Sequence, residues 1–109
     1  MKGKFVLIPF PFTDLAIAKL RPALVIHEEK KDVIVAFISS RIPSEISITD
    51  VVITAEHHAF KRTGLKVDSV IKLDKVATVL KDLIVGELGE VDETLRKEIN
   101  EKLRKIFTI

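Results

Sequence analysis

The sequence predicts a mainly β fold with some helix, a small barrel of short strands capped by a C-terminal helix. Val and Ile dominate a hydrophobic fraction of 47%, and both favour strands because their branched side chains pack well on a pleated surface. The apolar runs are short and separated by turn formers, and only the last segment repeats its apolar residues at helical spacing. With 109 residues the chain is predicted to be a single domain, residues 1–109.

The first strands follow from short apolar runs and the residues that end them. Residues 5–8 form the first strand, which Pro9 and Pro11 should end because proline cannot donate to a ladder. After a loop over 13–20, strands at 23–26 and 33–39 form a hairpin around the charged run 28–32. A loop at 41–49 carries isoleucines that we expect to lie over an apolar surface, and it leads into a strand at 51–53.

The second half of the chain continues with short elements. A helical turn is predicted within 57–63, before Gly64, and strands at 69–73, 76–79 and 83–88. The clearest helix comes last, with Asp92 as its N-cap and basic residues near its end, where they complement the helix dipole. Its apolar stripe, which should pack in the core or an interface, comprises Leu95, Ile99, Leu103 and Ile106.

Composition excludes several function classes. There is no Cys, so neither a disulfide framework nor a thiolate zinc site is possible. No apolar run approaches the roughly 20 residues that span a bilayer, and no signal peptide is visible, which predicts a cytoplasmic protein. The chain has no Gln and a single Asn, with abundant Lys and Glu, as expected of a thermophile. Basic residues exceed acidic ones before residue 82 and not after it, which is compatible with a polyanionic partner or simply with a soluble surface.

Two segments place polar residues at the ends of apolar strands. Arg21 opens the strand at 23–26 beside Lys19 and Pro22, where a guanidinium can bind a phosphate in bidentate fashion or pair with a surface carboxylate. Ser39 and Ser40 close the strand at 33–39, where their hydroxyls can donate to phosphate oxygens or cap the strand end. Each segment alone leaves both interpretations open.

A third segment holds a cation and a carboxylate two residues apart. Lys72 and Asp74 should share one face of the strand at 69–73, either as an ion pair or as groups that serve phosphoryl chemistry. The histidines form no metal pair by this reading, because His57 and His58 are adjacent and should point in different directions. No phosphate-binding glycine loop or nucleophile elbow is present.

Together these segments resemble the PemK/MazF family of toxins. The resemblance covers residues 4–10, 13–14, 19–26, 33–40, 64–65, 69–75 and 86–89 with the helix that follows, which is nearly the whole chain. It implies an SH3-like barrel, shared with the CcdB toxins, that forms a homodimer. It also implies the toxin of a type II toxin–antitoxin system, an endoribonuclease that cleaves single-stranded RNA and is silenced by an antitoxin.

The resemblance also implies roles for particular residues. Arg21 and Ser39 match catalytic positions of the family, with Ser39 in place of a Thr. Lys72 and Asp74 match an Arg and an Asp of the later strand, and Lys72 lacks the planar fork of the Arg it replaces. Asp74 is the expected catalytic base, while Lys72, Lys19, Ser40 and Thr13 are expected to bind the substrate.

The expected reaction requires no cofactor and no metal ion, because RNA carries its own nucleophile. Attack by the 2′-hydroxyl would leave a 2′,3′-cyclic phosphate and a 5′-hydroxyl. The alternative is a barrel that binds without cutting, either a CcdB-like toxin that binds gyrase or an RNA-binding module.

Overall fold

The computed structural model describes residues 1–10 and 19–109, so Thr13 and most of the predicted loop over 13–20 lie outside the described residues. The elements in chain order are β1 (Lys4–Phe10), β2 (Lys19–Glu28), β3 (Asp32–Ser39), β4 (Asp50–Ile53), α1 (Phe60–Thr63), β5 (Ser69–Leu80), a 3-10 turn (Lys81–Leu83), β6 (Gly86–Glu90) and α2 (Glu93–Ile106).

The strands form one antiparallel sheet that curls into a half-barrel. It has six strands in the order β4-β5-β3-β2-β1-β6, and α2 lies against it at the end of the chain. The predicted mainly β fold with a C-terminal helix is therefore confirmed. Within the described residues β4 and β6 are the edges of the sheet, and α1 lies beside β6.

Alternation along the strands divides the core into two clusters, one on each face of the sheet. The first includes Phe5, Leu24 and Ile71 and is covered by α2, whose Leu95 and Ile99 are buried as predicted while Leu103 and Ile106 pack partly buried against it. The second cluster lies on the opposite face and has no helix in it. Its fully enclosed members are Val6, Ile8, Ala23, Val25, Val33 and Val35.

The last helix forms as its sequence predicts. Asp92 is the N-cap, and its Oδ1 accepts a hydrogen bond from the Leu95 amide at 2.7 Å. Arg104 and Lys105 lie in the last turn, where they complement the dipole. Among the described residues, no helix is both long and apolar enough to cross a membrane.

Several predicted boundaries are wrong for reasons that the pairing explains. β1 continues through Pro9 to Phe10, because β6 pairs only with residues 4–7 and Pro9 has no ladder bond to lose on that side. β5 is one strand and not two. The predicted strand at 83–88 is a 3-10 turn followed by β6, since Gly86 is the residue that pairs with Leu7.

Two other expectations about loops also fail. The isoleucines of the loop at 41–49 do not cover an apolar surface, since Ile42, Ile46 and Ile48 are 38%, 53% and 57% exposed. His57 and His58 do not point apart; their rings stack with centroids 4.5 Å apart, and His58 Nε2 lies 3.0 Å from Asp92 Oδ2.

Candidate active site

A cleft opens on the face of the sheet opposite α2, where β2 begins, β3 ends and β5 passes beside β3. It has a volume of about 470 Å³. Its walls come from separate parts of the chain, and most of its polar groups are cationic or hydroxylic. We call it the cationic cleft. The residues that line it are Arg21, Phe37, Ile38, Ser39, Ser40, Arg41 and Lys72.

Strand register brings these residues together. Arg21 lies two residues before Ala23, and Ala23 faces Phe37 across the β2–β3 ladder. Phe37 in turn faces Lys72 across the β3–β5 ladder, and Ser39 follows two residues later on the same face. The cleft therefore continues the rows of side chains that form the second core cluster, with polar residues where the strands reach the edge of the core.

Arg21 and Ser39 are the two predicted catalytic residues that must lie close together if both are to contact one phosphate. They lie on neighbouring strands, and both line the cationic cleft. Arg21 is half-buried, with Ile8 opposite it on β1.

Ser39 ends β3, and its hydroxyl is held by the turn that follows. The backbone amide of Arg41 donates to Ser39 Oγ at 3.0 Å. A serine hydroxyl has one proton and two lone pairs, so this bond uses one acceptor site and leaves the proton able to donate to an anion. The same turn places Ser40 and Arg41 at the rim, where both are exposed.

Lys72 is bound to a carboxylate that sequence reasoning did not identify. Its Nζ donates to Asp50 Oδ1 at 2.7 Å, across the β4–β5 ladder. The expected alternative partner, Asp74, is exposed and does not line the cleft. The reason is a bulge: Phe37 faces Lys72 but Ala36 faces Val76, so residues 73–75 are extra on β5.

Two predicted substrate-binding residues remain, and neither can be assigned to the cleft. Lys19 is exposed at the start of β2, two residues before Arg21, and Thr13 is outside the described residues. Sequence reasoning missed Arg41, although it directly follows the two serines. It also missed Asp50, which is 22 residues from Lys72 and carries no local signal. Among residues 1–10 and 19–109, no group of His, Asp or Glu side chains is arranged to hold a metal ion.

Comparison with known proteins gives one family match and several similar structures. A family model described as "PemK-like, MazF-like toxin of type II toxin-antitoxin system" matches residues 1–107. Comparison with curated protein sequences gave no match.

The similar structures share the fold at low sequence identity. The Mycobacterium tuberculosis toxin MazF-mt6 is 19% identical, with a TM-score of 0.74 over 97% of both chains. A mycobacterial endoribonuclease in complex with its cognate antitoxin is 19% identical, with a TM-score of 0.70 over 96% of this chain and 91% of that one. MazF from Deinococcus radiodurans is 20% identical, with a TM-score of 0.68 over 99% and 96% of the two chains.

Proposed function

We propose, from the premise that this chain belongs to the PemK-like, MazF-like toxins of type II toxin–antitoxin systems, that it is an endoribonuclease which cleaves single-stranded RNA at the cationic cleft. The single observation that carries the proposal is that Arg21 and Ser39, from different strands, line the same cleft. An inert barrel does not require a guanidinium and a hydroxyl to converge beside further cations. A phosphodiester does, because charge builds up on its oxygens during cleavage.

Arg21 supplies most of the electrostatic stabilisation. Its planar fork binds two phosphate oxygens at once, and its partial burial strengthens each charge-assisted hydrogen bond. The guanidinium stays charged at all working pH values, so it stabilises the developing negative charge without a protonation step of its own. It is the residue on which the rate depends most.

Ser39 donates a hydrogen bond to a phosphate oxygen. The Arg41 amide fixes the position of Oγ from the acceptor side, so the free rotation that would otherwise weaken the contact is reduced. The hydroxyl does the same work as the threonine expected at this position, and the missing methyl group is not part of the chemistry.

The reaction uses the RNA's own nucleophile. The 2′-hydroxyl attacks the adjacent phosphorus, the bond to the 5′-oxygen breaks, and a 2′,3′-cyclic phosphate and a 5′-hydroxyl result. Neither a metal ion nor a cofactor takes part. Asp74 remains the base that the sequence predicts, yet its exposed position outside the cleft lining argues for a small contribution.

The test is cleavage of a labelled single-stranded RNA in excess chelator by the wild type, Arg21→Ala and Arg62→Ala. Arg62 is a matched control, because it is an exposed arginine paired with Glu90 outside the cleft. We expect Arg21→Ala to lower kcat by about 10²–10³-fold and Arg62→Ala to match the wild type. Equal rates for the wild type and Arg21→Ala would contradict the mechanism. Cleavage at a 2′-deoxy position would exclude attack by the 2′-hydroxyl.

We also propose that the working form is a homodimer. An apolar groove of about 640 Å³ lies between α2 and residues of β2, β3 and β5. It is lined mainly by Ile26, Ile34, Val76, Leu103 and Phe107. Phe107 is 58% exposed and lines this groove, and a contiguous exposed apolar surface is typical of a protein–protein interface. Sedimentation or light scattering of the wild type and Phe107→Glu decides: the variant should shift to the monomer mass.

The proposed protein partner is an antitoxin with an acidic, disordered segment. Such a segment would neutralise Arg21, Arg41 and Lys72 when it lies over the cleft, and ordering on binding would make it reversible. The neighbouring reading frame should encode a short protein with an acidic tail. If the purified chain binds RNA or gyrase tightly but cleaves nothing, the binding-module alternative replaces the nuclease.

A further inference from the structure

One acidic side chain lies beneath the cationic cleft and has no part in the mechanism above. Asp50, the first residue of β4, is 1% exposed, and it is the one fully buried carboxylate in the described part of the chain. A charge is rarely buried at such a position unless it is paired and hydrogen-bonded. Its location beside a site for a polyanion makes it more unusual, since it opposes binding unless it is neutralised.

Asp50 is fully engaged by groups from three different elements. Oδ1 accepts from Lys72 Nζ at 2.7 Å, and Oδ2 accepts from the Ser47 amide at 2.9 Å. The backbone carbonyl of Asp50 accepts from Lys102 Nζ of α2, also at 2.7 Å. Because Oδ2 is held by the backbone amide of the loop at 41–49, the carboxylate cannot turn away from Lys72.

The charge state of this group follows from the same contacts. Burial, the largest single influence, raises the pKa of Asp50. The hydrogen bonds from Lys72 and the Ser47 amide, with the charges of Lys72 and Lys102, outweigh it, so the pKa lies below its ordinary value. The carboxylate is therefore ionised at neutral pH and forms a true ion pair with Lys72.

The ion pair changes what Lys72 can do in the cleft. A lysine side chain is long and flexible, and ordering it on a ligand is costly in entropy. Here one of the three ammonium donors is already bound to Asp50, while the side chain remains 26% exposed and lines the cleft. The other donors stay available at a fixed point beside Arg21 and Ser39.

We propose that Asp50 is a positioning residue: it holds the Lys72 ammonium at the cationic cleft so that the remaining N–H donors meet a phosphate of bound RNA. The inference rests on the proposed function and adds to it a residue that does not touch the substrate.

The kinetic test separates positioning from a merely structural role. Loss of folded protein lowers the measured kcat but leaves KM unchanged, whereas a displaced phosphate anchor raises KM. We expect Asp50→Asn to raise KM for a short RNA about five- to tenfold with kcat changed by less than about twofold. Asp68→Asn is the matched control, because Asp68 also accepts a backbone amide, that of Ala55 at 2.7 Å, but lies outside the cleft.

The second arm measures coupling between the two residues. If Asp50 acts only through Lys72, Asp50→Asn adds no further rise in KM to a Lys72→Met variant. An unchanged KM in Asp50→Asn, or a rise that multiplies with that of Lys72→Met, would overturn the inference.

A measurement on the wild type keeps the test decisive should Asp50→Asn fail to fold. Nitrogen-15 relaxation of the lysine ammonium groups should show Lys72 Nζ more restricted than Nζ of Lys75, an exposed lysine on the same strand. Equal mobility would contradict the inference. If the wild type cleaves no RNA, the proposed function fails, while ammonium relaxation still reports whether Asp50 holds Lys72. If the wild type cleaves RNA with the same KM as Asp50→Asn, the function stands and the positioning role fails.

Discussion

A pair of glycine substitutions in β6 tests how the half-barrel is closed at its edge. A Cβ added at Gly89 would lie 2.1 Å from the carbonyl oxygen of Arg62 and 2.6 Å from the carbonyl carbon of Thr63. Both are backbone atoms of α1, so neither can swing away. At Gly86, in the same strand, a Cβ would meet nothing within 4 Å.

The expected magnitudes follow from these distances. Overpacking a core costs about 1–3 kcal/mol when side chains can adjust, and a backbone clash at Gly89 should reach or exceed the upper end. For a domain of this size 1 kcal/mol corresponds to at least about 4 °C in Tm, so Gly89→Ala should lower Tm by about 12 °C or more. Gly86→Ala should raise Tm by roughly 2–4 °C. The alanine lowers the conformational entropy of the unfolded chain, which increases the free energy of unfolding by about 0.4–1 kcal/mol.

Thermal unfolding followed by circular dichroism measures both variants under one set of conditions. Gly64 makes the reciprocal contact: its φ is +75° and a Cβ there would lie 2.1 Å from the Leu88 carbonyl oxygen, so Gly64→Ala should be at least as harmful. If Gly89→Ala and Gly86→Ala melt within a few degrees of each other, the backbone of α1 does not pack closely against Gly89 of β6, and the reasoning is wrong.

Substitutions at four further residues probe the site, one ion-pair cluster and the core. Ser39→Ala should lower kcat about 10- to 100-fold, the worth of a hydrogen bond to a charged group, whereas Ser39→Thr should stay close to the wild type in the same RNA assay. Asp74→Asn should lower kcat less than about threefold; a loss of 10² or more would restore Asp74 as the base. The hydrogen bond from Lys81, with the N-terminal amine, lowers the pKa of Glu28 to about 2. Its ion pairs therefore stabilise the fold above the ordinary pKa near 4.5, and the gap in urea midpoint between wild type and Glu28→Gln should shrink as pH falls from there towards 2. Leu95 of α2 is fully buried in the first core cluster, so Leu95→Ala should cost about 2.7–5 kcal/mol in denaturant unfolding, and a cost below 1 kcal/mol would mean that the helix is not part of the core.

Much of the fold was readable because its signals are local. The strands at 23–26 and 33–39 follow from runs of branched residues around a charged turn, and Asp92 with its apolar stripe defines the helix. The misses have non-local causes. Residues 69–80 form one strand because β3 pairs with both halves of it, on either side of a bulge that no nearby residue predicts. Pro9 is tolerated inside β1 because the pairing of β1 with β6 stops at Leu7. That limit depends on β6, a segment far along the chain.

The site shows the same division between local and distant information. Arg21 and Ser39 could be proposed because each stands at the end of a recognisable strand, and adjacent strands bring such ends together. The partner of Lys72 could not be proposed, because the pairing of β4 with β5 decides it and β4 is only a four-residue strand. Lys102 is more remote still, on a helix that packs chiefly against the other face.

The position of the cleft also links its chemistry to the folding of the sheet. Arg21 continues the row of Ala23 and Val25 on β2, and Ser39 continues the row of Val35 and Phe37 on β3. In a β-strand a slip of one residue turns every side chain to the other face. The slip that would separate Arg21 from Ser39 would therefore also move Ala23 and Val25 to the face that α2 covers and Leu24 to the opposite face. Both core clusters would then be misfitted, and overpacking typically costs about 1–3 kcal/mol at each position. The hydrophobic cluster thus fixes the register, and the register in turn brings the guanidinium and the hydroxyl to the same cleft, although neither polar group contributes to the core.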